Sequence, residues 1–163
     1  MTETAKLTAS DAQQFDELGY SVSINVDTIA LGAVQRASTG SGKVYIYVRP
    51  ALGWTSMSET AKLTAASASF GDVFGESVSL TESKLIVGAG NSNQVEGAAY
   101  LYIKPVGGWS TTSNATTELT PPNGTAGEGF GFSAFTSGGA IAVGAPFPTN
   151  CSCALGLAYV FQP

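Results

Sequence analysis

Phe74-Gly75-Glu76-Ser77-Val78, then Ile86-Val87-Gly88-Ala89, then Ala99-Tyr100-Leu101-Tyr102, then Gly108-Trp109: this stretch decides the fold, because the chain repeats it on either side. Working outward, Asp72-Val73-Phe74-Gly75 aligns with Asp16-Glu17-Leu18-Gly19 before it and Glu128-Gly129-Phe130-Gly131 after it. Val87-Gly88-Ala89 aligns with Leu31-Gly32-Ala33 and Val143-Gly144-Ala145. Ala61-Lys62-Leu63-Thr64-Ala65 repeats Ala5-Lys6-Leu7-Thr8-Ala9, with a weaker copy at Thr117-Glu118-Leu119-Thr120-Pro121. The period is about 56 residues, and loops let it drift towards the end of each unit. Tyr45-Ile46-Tyr47-Val48 becomes Tyr100-Leu101-Tyr102-Ile103 and then Tyr159-Val160-Phe161, and Gly53-Trp54 returns as Gly108-Trp109.

Within a unit, apolar and polar residues alternate with period two, and β-branched and aromatic residues are enriched. Four short strands follow. Strand a is Ser21–Ile24, copied at Ser77–Leu80. Strand b is Thr28–Leu31, copied at Lys84–Val87 and Ala140–Val143. Strand c is the tyrosine-rich run, and strand d is the Ala-Lys-Leu-Thr segment after the Gly-Trp turn. No segment has a cap followed by a 3.6-residue apolar period. The 20 glycines and 7 prolines punctuate the strands instead. Four strands in a unit of roughly 50 residues describe a propeller blade, whereas the repeats of a β-helix are much shorter. The fold class expected is all-β: three four-stranded antiparallel blades, with repeats at about 5–60, 61–116 and 117–163.

The units are offset. The chain opens on a strand d, residues 5–9, and closes on a strand c, Tyr159 to Phe161. Leu7, Tyr159 and Phe161 are therefore expected to close a ring, the first strand completing the last blade. Three blades fall short of the four to eight that propellers use, and an open array leaves strand edges and apolar faces uncovered. Two arrangements answer this. A homodimer joins two copies head to tail into a six-bladed ring, or the chain is part of a longer propeller.

The quoted motifs resemble FG-GAP repeats of the kind found in the head of integrin α-subunits. The third unit is similar, with Phe130-Gly131-Phe132-Ser133, Val143-Gly144-Ala145-Pro146 and Ala158-Tyr159-Val160-Phe161; the first departs, with Leu18-Gly19 for Phe-Gly and Gly32-Ala33-Val34 for Gly-Ala-Pro. The resemblance spans essentially the whole chain. It implies a β-propeller in an extracellular or secreted adhesion protein. It also raises calcium, which integrin-type repeats hold on an acidic run between strands a and b. Here those turns are short and carry at most one acid, Asp27 or Glu82, so no metal site is expected there. Asp11 and Asp16 in the first d–a loop offer a thinner one.

Composition excludes further classes. Seven basic and 12 acidic residues give a net charge of −5, with no electrostatic footprint for nucleic acid and no polybasic segment for anionic lipid. No apolar run approaches the roughly 20 residues of a spanning helix, so no membrane insertion is expected. Met1 to Lys6 has no apolar signal core, which leaves a cytosolic chain or a mature or trimmed one. With no histidine, the commonest general base and metal ligand is missing. Asp16, Asp72 and Glu128 recur in every unit, as turn caps do and a catalytic group need not. No phosphate-binding glycine loop and no nucleophile elbow is present. Catalysis and cofactors are not expected.

Binding is expected on the face that carries the b–c and d–a loops, since these are long and differ between units. Arg36, Asn91, Asn93, Gln94 and Phe147 are the candidate ligand-binding residues, the amides being suited to sugars or peptide backbone. Plain solvated loops are the other reading of the same segments. Cys151 and Cys153 are a candidate disulfide, strained across one residue, with intermolecular pairing and two free thiols left open. Asn114, Asn123 and Asn150 begin glycosylation sequons, which with the integrin resemblance favour an extracellular glycoprotein. The function expected is recognition or adhesion without catalysis, towards a protein or glycan. A structural repeat unit, or a fragment of a longer propeller with no binding of its own, is the alternative.

Overall fold

The structure, a computed structural model, describes residues 1–36, 40–91, 96–124, 126–147 and 156–162. These residues form strands and turns, with no helix among them. The first sheet takes β2 (Leu18–Asn25), β3 (Thr28–Ala33), β4 (Lys43–Val48) and β6 (Ala61–Leu63) in that spatial order. The second takes β7 (Ser77–Leu80), β8 (Lys84–Ala89), β9 (Ala98–Ile103) and β10 (Thr117–Leu119). The third has β11 (Ser133–Ser137), β12 (Ala140–Ala145) and β13 (Leu157–Phe161). Every pairing in the three sheets is antiparallel. Each sheet thus has the form of a propeller blade, and among the described residues the third has three strands rather than four.

Alternation along the strands decides which face each side chain joins. On β4, Val44 and Ile46 point towards the second sheet and Tyr45 and Tyr47 point away from it. On β9, Tyr100 and Tyr102 face back to the first sheet, and Ala99 and Leu101 face on to the third. Two cores result. Phe74 lies fully buried in the one between the first and second sheets, Phe130 in the one between the second and third. We call the face towards the next sheet in the chain the leading face, and the opposite one the trailing face.

Leu7, expected to close a ring, has a different partner within the chain. Its strand β1 (Leu7–Thr8) runs parallel to β5 (Met57–Ser58), with Leu7 opposite Met57. Leu7 packs there on the trailing face of the first sheet, beside Tyr45, Tyr47 and Trp54. Leu63 does the same on the second sheet, bridged in parallel to Thr112. Tyr159 and Phe161 turn their rings back onto Phe130, with centroids at 5.3 and 6.1 Å. What β13 can offer for closure is therefore its backbone edge.

Candidate functional site

The loops that follow strand b and those that precede strand a meet at one end of the sheets. Two devices hold them. In the first unit Gln13 N–H donates to Asp16 Oδ2 at 2.8 Å, and in the second Ser69 N–H donates to Asp72 Oδ2 at 2.7 Å. These are the turn caps expected of the recurring acids, and both carboxylates are buried. Glu128 is buried too, but its carboxylate accepts the Tyr159 hydroxyl, which pushes that phenol up to about 12. The second device ties the end of strand b to the loop before strand a: Gln35 Nε2 donates to Asp16 Oδ1 at 2.6 Å, and Asn91 Nδ2 donates to the Gly71 carbonyl at 2.7 Å.

Between these loops lies an open groove of about 620 Å³. Arg36 of the first unit, Asn91 of the second and Phe147 of the third all line it. Asn93 and Gln94 lie outside the described residues. The remaining wall is largely apolar, with Phe70 and Phe132 beside Val73. Phe132 and Phe147 stand edge to face, their centroids 5.5 Å apart. Both rings are exposed, and Phe70 is 72% exposed, so aromatic surface faces solvent along the groove.

One ion pair crosses from the first sheet to the second within it. Arg36 Nη2 donates to Glu76 Oε1, and the guanidinium also lies over the Tyr20 ring, 4.7 Å from its centroid. The Glu76 side chain is 6% exposed and that of Arg36 43%. Burial raises the Glu76 carboxyl above its ordinary value, against the opposing pull of Arg36 and of a hydrogen bond from the Gly90 backbone. The groove thus offers aromatic faces, an amide and a half-solvated guanidinium. Those groups bind by stacking and hydrogen bonding.

A family model described as the FG-GAP repeat matches residues 1–47 and 57–102, more than half of the chain. The chain belongs to the FG-GAP repeat family. No curated protein matches it significantly. The two FG-GAP matches fall on the first two units, including the first, whose Leu18-Gly19 departs from the Phe-Gly motif. Its geometry does not depart: Gly19, Gly75 and Gly131 have φ of +92, +93 and +96°, a left-handed backbone that glycine adopts without strain.

Other site residues read from the FG-GAP sequence fall elsewhere. Asp11 and Asp16, weighed as calcium ligands, serve separate networks. Asp16 holds Gln13 and Gln35, while Asp11 accepts from Lys62 Nζ at 2.6 Å, Lys43 Nζ at 2.9 Å and the Tyr45 hydroxyl at 2.8 Å. Asn114 and Asn123 are exposed, as glycan attachment requires. Asn150, Cys151 and Cys153 lie outside the described residues. Sequence reasoning missed Phe70, Phe132 and Glu76. A signal for the last two existed: each directly follows a Phe-Gly pair, as Tyr20 follows Leu18-Gly19, so one position per repeat points into this end of the sheets.

Proposed function

We propose that this FG-GAP chain is an extracellular, non-catalytic recognition module of the adhesion type, binding a protein or glycan through the b–c/d–a loop face. One observation carries the reading. Arg36, Asn91 and Phe147 come from three different repeats, yet they line one groove together with the exposed rings of Phe70 and Phe132. Ligand sites are typically concave, mostly apolar and supplied with a few placed polar groups, and about 300–1,000 Å³ is their usual volume. Exposed rings next to an amide suit the apolar face and hydroxyls of a sugar, or a peptide's side chain and backbone.

The test is binding of the intact chain to arrays of glycans and of extracellular-protein peptides, in parallel with the double variant Phe132→Ala/Phe147→Ala. Both rings are exposed, so the variant should keep the wild-type melting midpoint. Array members bound by the wild type should lose at least tenfold in affinity. Binding that the double variant leaves unchanged, or no binding on either array, overturns the reading. A structural unit of a larger assembly is the second reading, and the exposed Phe135 and Val160 on the outer face of the third sheet favour it.

A further inference from the structure

The two joints between successive sheets are built alike. Ser21 Oγ donates to the Gly75 carbonyl at 2.7 Å, and Ser77 Oγ to the Gly131 carbonyl at 3.0 Å. The same carbonyls cover Gly32 in the first joint and Gly88 in the second, so closely that a Cβ on either glycine would overlap them. Two residues along the strand, Leu80 N–H donates to Ser23 Oγ at 3.0 Å and Thr136 N–H to Ser79 Oγ at 3.1 Å. Each joint therefore has two halves. A leading face brings a serine and a glycine notch, and a trailing face brings a glycine carbonyl.

The chain carries one unused copy of each half. On the leading face of the third sheet, Ser133 occupies the position of Ser21 and Ser77, and Gly144 that of Gly32 and Gly88. The three atoms nearest a Cβ built on Gly144 all belong to Ser133; the carbonyl that fills the other two notches has no counterpart among them. Ser133 is exposed, and its hydroxyl has no hydrogen-bond partner among the described residues. Phe135 and Val160 on the same face are 64% and 70% exposed. On the trailing face of the first sheet, a Cβ built on Gly19 meets nothing within 4 Å, although its backbone matches Gly75 and Gly131. Val22 and Ile24 beside it are 62% and 61% exposed.

We infer that the leading face of the third sheet docks the trailing face of the first sheet of a second copy of this chain. Ser133 Oγ then donates to the carbonyl of Gly19, which fills the Gly144 notch. The inference is independent of the groove. In the same joint, β1 supplies a fourth strand to the third sheet. Its register follows from the other two: Leu63 lies opposite Val44 and Leu119 opposite Ala99, which are the residues paired with Gly32 and Gly88. Gly144 pairs with Ala158, so Leu7 of the second copy lies opposite Ala158 and Lys6 opposite Tyr159. One contact changes character. Phe135 stands where Ser23 and Ser79 stand, so it meets Ile24 with a ring instead of accepting its N–H.

A second copy is the occupant that the faces themselves specify, because each copy holds both halves of the joint. Such a head-to-tail contact either closes or propagates as a fibre. Two copies close it with six sheets, within the four to eight of known propellers, and the short strand edges that remain are the protected ones of a propeller.

Light scattering on the intact chain should give twice the 16.6 kDa chain mass. Ile24→Glu and Phe135→Lys alter exposed side chains, so both variants should keep the strand-rich circular dichroism of the wild type. Each alone should weaken association at least tenfold, because each places a charge in both joints of the pair. Mixing the two should restore the dimer: one joint then pairs Lys with Glu, and the other is wild type. A wild-type chain that stays monomeric, or has a mass other than twice the chain, overturns the inference, the monomer leaving these faces to other repeats. A mixture that does not reassociate overturns it as well.

Discussion

The hydroxyl of Ser77 reaches across to the backbone carbonyl of Gly131 at 3.0 Å, and that carbonyl sits directly over Gly88. A side chain of one sheet, a peptide of the next and a missing Cβ are thereby locked into one contact. The contact explains the glycine of the Gly-Ala pair in the first two units, Gly32 and Gly88. Any residue larger than glycine at the first position would hold the sheets apart.

Gly88→Ala tests this directly. The added methyl must move a backbone carbonyl, not the end of a flexible side chain. Overpacking of that kind costs about 1–3 kcal/mol, and more where backbone must shift. Gly107→Ala is the control, since a Cβ there meets nothing within 4 Å. Urea unfolding should show a clear loss for the first variant and a change within about 0.5 kcal/mol for the second. Equal midpoints for the two would show that the sheets do not pack this closely.

Tyr102→Phe probes the attachment of strand d. Its hydroxyl donates to the Thr64 carbonyl at 2.7 Å, as Tyr47 donates to Thr8 at 2.9 Å. Removing a hydroxyl from such a bond costs about 0.5–1.5 kcal/mol. Tyr47→Phe should cost less globally, because it holds only β1, and should speed amide hydrogen exchange at residues 7–10. Unchanged exchange there would show that the hydroxyl does not hold the strand.

These particulars also mark what could be read from the residues beforehand. Strand a of the second unit was legible to the residue, Ser77 to Leu80, because alternation and repetition agree there. In the first unit β2 begins at Leu18, three residues earlier than its pattern suggests, because an irregularity between Leu18 and Ser21 interrupts the period-two register. β5 was illegible: it is two residues long and pairs in parallel with a segment 50 residues away, which no local pattern encodes. In the groove, Arg36, Asn91 and Phe147 were found because they lie in loops that vary. Phe132 was missed because, within a strand-rich repeat, an exposed ring and a core ring look alike until the faces are known.

Asp11 should make the protein acid-sensitive. Burial alone would raise its carboxyl, but hydrogen bonds from Lys62, Lys43 and Tyr45 outweigh that and hold it well below the usual carboxylate range. A carboxyl depressed by folding adds stability above its unfolded value, near 3.9, and that stability is lost as pH falls towards the folded value. The side chain is 36% exposed, so solvent screening keeps the contribution to about 1 kcal/mol or less. Asp11→Asn should therefore lower the melting midpoint at pH 6 and converge on the wild type as pH falls below 4. A deficit that is the same at both ends of that range would assign the effect to packing rather than charge.

Glu76 should behave with the opposite sign. Its carboxyl is raised, chiefly by burial, in spite of Arg36. A carboxyl raised by folding favours the folded state fully when protonated, below its unfolded value, and that advantage is lost as pH rises through the folded value. At neutral pH the buried charge is thus a liability that the ion pair only partly offsets. Glutamine keeps an acceptor for the Gly90 N–H but carries no charge, and Arg36 remains half exposed and stacked on Tyr20. The midpoint of Glu76→Gln relative to wild type should therefore rise between pH 4 and pH 7. Thermal melts of both proteins across that range check it, with circular dichroism as the signal. A relative midpoint that falls with pH would mean that Arg36, and not burial, governs this carboxylate.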